Sequence, residues 1–108
     1  VDFGAAAATA GGAWLTGEIE GLPVAVVRVG GTLYAFEDRC THDGESLAGA
    51  ELARAGAATE VVCPRHGARF SLATGAALSP PAYEPLRVFA VREDSGRILV
   101  EAEPAPGP

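Results

Sequence analysis

The feature that most restricts this chain is a pair of short stretches, Cys40-Thr41-His42 and Cys63-Pro64-Arg65-His66. Between them they hold every cysteine and every histidine in its 108 residues. Thiolates and imidazoles are the soft and borderline donors that suit transition metals. Two of each, as C-x-H and C-x-x-H, are enough to complete the coordination of a metal centre. About twenty residues lie between the stretches, so the fold must bring two separate loops side by side.

A cysteine pair is ordinarily read as a disulfide, but that reading leaves the downstream histidine in each stretch unexplained. Zinc takes the same ligand types. Zinc fingers, however, place a cysteine pair first and a histidine pair later, whereas each stretch here carries one of each. A single core histidine is common; two at these offsets from the only cysteines are not a chance pattern.

The flanks extend the pattern to Cys40-Thr41-His42-Asp43-Gly44-Glu45-Ser46-Leu47 and Cys63-Pro64-Arg65-His66-Gly67-Ala68-Arg69-Phe70. The pair resembles the Rieske [2Fe–2S] motif, in which two cysteines hold one iron and two histidines the other. The likeness runs from about Val24 to Val100, and the chain is identified as resembling a small soluble Rieske ferredoxin. It implies an all-β fold of stacked antiparallel sheets with an inserted cluster-binding subdomain. The expected division is a base of residues 1–38 and 78–103, a subdomain of 39–77, and a disordered tail of 104–108.

The resemblance further implies one [2Fe–2S] cluster held by Cys40, His42, Cys63 and His66. The histidines would ligate through Nδ1, with Nε2–H toward solvent. With two ferric ions, two sulfides and two thiolates, the oxidised cluster carries no formal charge, which raises its potential above that of plant-type ferredoxins. High-potential members of the family carry two extra cysteines, and a serine and a tyrosine two and four residues after the second histidine. Here no cysteine is left over, and those positions are Ala68 and Phe70. The expected potential is therefore low in the family range.

The functional expectation is a diffusible one-electron carrier without catalytic residues. It would pass electrons from a reductase to an acceptor such as a ring-hydroxylating dioxygenase, docking through its histidine-bearing tip. Two alternatives are a noncatalytic Rieske-fold small subunit of a nitrite-reductase-like enzyme and a detached oxygenase Rieske domain. An oxygenase needs a further iron site of two histidines and a carboxylate, and no histidine remains for it. Gly67 is expected to let the backbone approach sulfur and offer N–H donors. Pro64 is expected to stiffen its loop, and Pro80-Pro81 resembles the proline loop that covers the cluster. Arg65, Arg69, Glu45 and Asp43 read as exposed charges near the tip.

Composition narrows the partners. The formal net charge of −6 disfavours nucleic acid and anionic membranes and suits a basic protein surface. Hydrophobic content of 48% with 20% charged residues is that of one globular domain. No apolar run reaches the length of a membrane-spanning helix. Ala5 to Ala8 has no basic region before it, so it does not read as a signal peptide. A cytoplasmic monomer is the expectation.

Taken in order, an edge strand is expected near Asp2–Ala5, then Trp14–Ile19 and a turn at Glu20-Gly21-Leu22-Pro23. Val24–Val29 and Thr32–Phe36 flank Gly30-Gly31, a strong hairpin signal. Leu47–Ala58, rich in alanine and glycine, reads as an irregular excursion with a possible helical turn at Ala50–Ala55. Thr59–Val62 leads into Cys63, and Arg69–Ser71 and Ala76–Leu78 flank a turn at Ala73–Gly75. Leu86–Arg92 and Arg97–Glu101 form a last hairpin about Asp94–Gly96. The sum is about eight short strands and no long helix.

Overall fold

The computed structural model describes residues 1–29, 31–40, 46–55, 58–63, 67–78 and 84–104. Its strands are β1 (Asp2–Ala5), β2 (Trp14–Ile19), β3 (Leu22–Val29), β4 (Thr32–Glu37), β5 (Glu51–Ala55), β6 (Ala58–Val62), β7 (Arg69–Ser71), β8 (Val88–Asp94) and β9 (Arg97–Pro104). A 3-10 segment spans Ala6–Gly12. All pairings are antiparallel. A six-stranded sheet has the order β1-β9-β8-β4-β3-β2, and a three-stranded sheet the order β5-β6-β7. In sequence the smaller sheet is inserted between β4 and β8. The all-β expectation holds.

Two-residue turns set the hairpin registers. Glu20 and Gly21 (φ 52° and 83°) join β2 to β3 with Ile19 opposite Leu22, and Ser95 and Gly96 (φ 51° and 78°) join β8 to β9 with Asp94 opposite Arg97. Positive φ at both central residues gives the turn whose twist matches that of the strands. The first turn is shorter than expected, since Leu22 and Pro23 already belong to β3. The β3–β4 pairs run only as far as Val24–Glu37, so the missing N–H of Pro23 interrupts no pairing, while its carbonyl accepts from the Asp38 N–H.

The large sheet curls until its edge strands meet. The Phe3 ring of β1 lies against Gly17 of β2, where a Cβ would come within 3.0 Å of the ring. Val24, Ala25, Val26 and Val27 are all fully buried because β3 has a core on each face. Val24 and Val26 face Ile19, Ala35, Phe89, Ile98 and Val100 inside the curl. Ala25 and Val27 face Phe36, Val61, Phe70 and Leu72, the contact between the two sheets. Trp14 closes that second core edge-on against Phe36, with ring centroids 5.9 Å apart.

Two sequence expectations are corrected. Glu51–Ala55 is a strand, not a helical turn, paired from Glu51–Val62 to Ala55–Ala58. Pairing with the β-branched β6 outweighs the helical leaning of Glu-Leu-Ala-Arg-Ala, as tertiary context does for short segments. The C-terminal strand reaches Pro104, which lies opposite Phe89 and is therefore not part of a tail. The β1 pairs end at Leu99, so Pro104 has a strand on one side only and its lacking donor is tolerated. Leading into β2, the small residues Ala6–Gly12 wind into the 3-10 segment, where the buried Thr9 hydroxyl donates to the Ala6 carbonyl and accepts from Arg28 Nε.

Candidate metal centre

Each cysteine follows a strand, one from each sheet. Cys40 comes three residues after the end of β4, and Cys63 comes directly after β6. Both are buried, 1% exposed, in the core where the two sheets meet, together with Leu47, Ala68 and Leu86. No disulfide joins them, so that alternative fails. His42 and His66 lie outside the described residues, as do Pro64, Arg65, Asp43, Glu45, Pro80 and Pro81.

The two loops are closed at their bases by different means. Among the described residues the second is closed by backbone bonds: the Cys63 N–H donates to the Ala68 carbonyl (2.7 Å), and the Gly67 N–H to the Cys63 carbonyl (3.0 Å). Gly67 takes φ +72°, which glycine adopts without steric cost. Its N–H donates to the Cys63 carbonyl and so closes the turn. The first loop is closed by a side chain. The Asp38 carboxylate accepts from the Leu47 N–H (2.6 Å) and the Ala48 N–H (2.8 Å), and the Ser46 hydroxyl lies 2.9 and 3.0 Å from its two oxygens.

The segment carrying Pro80-Pro81 is tied at both ends. The Leu78 N–H donates to the Arg69 carbonyl, and the Leu86 N–H to the Gly75 carbonyl, both at 2.7 Å. Gly75 has φ +80°, and a Cβ there would stand 2.1 Å from the Leu86 oxygen. Sequence reasoning singled out neither Asp38 nor Gly75 as an anchor. Asp38 precedes Cys40 by two residues, but its partners lie eight to ten residues on, a separation with no local signature. Arg69, expected as an exposed tip charge, is exposed and ion-pairs with Glu60 across β7 and β6 (3.2 Å).

These residues fit an iron–sulfur group. Two buried thiols in one core, one following a strand of each sheet, supply a sulfur half-set, and the bases of both loops are tied by hydrogen bonds between other atoms. Among the described residues, no helix is long and apolar enough to cross a membrane.

Comparison with known proteins agrees. The Rieske [2Fe-2S] domain family matches residues 3–90. The 3-phenylpropionate/cinnamic acid dioxygenase ferredoxin subunit of Escherichia coli K12 is 39% identical over 84 residues, covering 75% of this chain and 76% of that one. Ferredoxin CarAc of Metapseudomonas resinovorans is 41% identical over 81 residues, covering 75% and 72%. In a solved complex of reduced oxygenase and oxidized ferredoxin in carbazole 1,9a-dioxygenase, one chain matches with TM-score 0.82 and 34% identity over 99% of this chain and 96% of its own length. The ferredoxin of carbazole 1,9a-dioxygenase from Nocardioides aromaticivorans IC177 gives TM-score 0.82 at 30% identity, covering 93% and 94%. Small-subunit nitrite reductase structures match at 20% and 22% identity, a likeness of fold alone. A cysteine from each of two sheets in one core, the matched span and the ferredoxin relatives converge: this chain belongs to the Rieske [2Fe–2S] domain family.

Proposed function

We infer that the protein is a one-electron carrier of the ferredoxin type, moving electrons from a reductase to an oxygenase. The observation that carries this is the likeness to ferredoxin components of dioxygenase systems, over 75% of this chain in sequence and 99% in structure, joined to the burial of both cysteines in one core. Its cofactor is a Rieske-type [2Fe–2S] cluster, which supplies reversible one-electron transfer. Cys40 and Cys63 hold one iron as thiolates, and His42 and His66 hold the other. Both cysteines share a buried apolar core with Leu47, Phe70 and Leu72. The histidine side is the face presented to partners. A ring-hydroxylating oxygenase is the acceptor that the relatives' names and the oxygenase–ferredoxin complex support. The carrier works as a monomer in the cytoplasm, where thiols stay reduced until they bind metal.

The test is anaerobic purification with metal and sulfide analysis. Red-brown protein with two irons and two labile sulfides per chain, and electron delivery to a dioxygenase after chemical reduction, is the expected result. Colourless protein with stoichiometric zinc overturns the reading. His66→Ala and Cys40→Ser are each expected to lose the iron or change its spectrum outright.

A further inference from the structure

We propose that Asp38 is a positioning residue for the metal centre: its carboxylate clasps the 39–46 loop shut, and its charge holds the reduction potential down. This rests on the ferredoxin reading above. Asp38 sits where β4 ends, its own N–H fixed to the Pro23 carbonyl (2.8 Å). From that anchored backbone, one carboxylate gathers donors from three consecutive residues at the far end of the loop, Ser46, Leu47 and Ala48. Cys40 and Leu47, near the loop's two ends, are both buried in the core that holds Cys63. The clasp therefore fixes Cys40 and Leu47 against the core that holds Cys63.

The asymmetry between the loops gives Asp38 its second role. Among the described residues, backbone bonds close the base of the Cys63 loop, whereas a carboxylate ties the base of the Cys40 loop and places a negative charge two residues from Cys40. Hydrogen bonds to a charged acceptor are the stronger kind, and Asp38 is only partly exposed, so solvent screens its charge incompletely. A fixed negative charge beside a redox centre opposes the added electron. The Ser46 hydroxyl and two backbone N–H groups moderate that charge without cancelling it.

Asp38→Asn and Asp38→Ala separate the two roles. Asparagine keeps an oxygen for Leu47 and Ala48 but removes the charge. Alanine removes both. By hydrogen–deuterium exchange with mass spectrometry, the amides of Leu47 and Ala48 should exchange about ten- to hundredfold faster in Asp38→Ala, and near the wild-type rate in Asp38→Asn. Asp38→Asn should retain its cluster, with unchanged iron content and a midpoint shifted to more positive potential. If Asp38→Ala does not fold, the asparagine variant alone decides. Unaltered amide protection in Asp38→Ala overturns the clasp. An unmoved midpoint in a fully loaded Asp38→Asn protein overturns the electrostatic role and leaves a purely structural aspartate. A wild type loaded with zinc would overturn the cluster reading, and the potential role with it, while the amide comparison would still decide the clasp.

Discussion

Gly75→Ala is expected to be far more damaging than Gly67→Ala, although the two glycines have nearly the same backbone conformation. Both lie at positive φ, +80° and +72°. There an L residue pays roughly 1 kcal/mol for its Cβ. Around Gly67 nothing lies within 4 Å of a built Cβ, so that conformational cost is the whole cost. At Gly75 the same atom would stand 2.1 Å from the Leu86 oxygen and 3.1 Å from Val88 Cγ1. Main-chain oxygen cannot swing aside as a side chain can, so the two segments must part. Parting them breaks the bond from the Leu86 N–H to the Gly75 carbonyl, which contributes about 1 kcal/mol, and unpacks the buried Leu86. The sum is about 3 kcal/mol for Gly75→Ala against about 1 kcal/mol for Gly67→Ala. For a domain of this size that is about 12–24 °C against about 4–8 °C in Tm. Because Leu86 anchors the return of the Pro80-Pro81 segment, loss of cluster absorbance should come earlier in the Gly75 variant. Thermal melts of the loaded protein, read by far-ultraviolet circular dichroism and by visible absorbance, make the comparison. Equal melting temperatures for the two variants would refute the reasoning, since only the contact with Leu86 separates them.

Three further outcomes are expected. The Asp2 carboxyl is held below its usual value by its hydrogen bonds from Arg97 and then from the Gly4 N–H. A depressed folded pKa adds stability above the unfolded value, lost as pH falls through the folded one; Arg97→Gln should therefore flatten the acid limb of the stability profile below about pH 4, as urea melts at several pH values would show. With a net charge of −6, reduction by a cognate reductase should slow as salt rises; stopped-flow rates independent of ionic strength would mean that apolar contact carries docking. The wild-type midpoint should lie near the low limit of the family, around −150 mV. Ala68→Ser and Phe70→Tyr, which place hydroxyls in the buried core shared with both cysteines, should each raise it in voltammetry, and a clearly positive wild-type midpoint would contradict this.

The family was legible because Cys40, His42, Cys63 and His66 stand at fixed offsets in the sequence. The hairpins were legible where turn residues dictate their own geometry, as at Gly31 between β3 and β4 and at Ser95-Gly96. Glu51–Ala55 was not, because nothing local in Glu-Leu-Ala-Arg-Ala favours a strand; β6 alongside it decides the matter. Pro104 was misplaced for the same reason, since only sheet order reveals that β9 has one neighbour there. The clasp at Asp38 and the contact at Gly75 depend on residues eight to eleven positions away, which a single sequence does not connect.

The continuous run Val24–Val27 explains why the metal centre and the fold cannot be separated. An alternating strand would bury one face, and the other would meet water. Here β3 buries both, so the curl of the large sheet and the seam with the small sheet share one central strand. Cys40 and Cys63 lie in that seam, one delivered by each sheet. Neither sheet alone supplies both buried cysteines. A metal group held by both cysteines would add bonds across the seam. Metal affinity and sheet packing become one quantity: a core substitution in the seam should weaken metal retention, whereas an equally destabilising substitution inside the curl, such as Ile98→Ala, should lower stability with less effect on the rate of cluster loss below the melting transition.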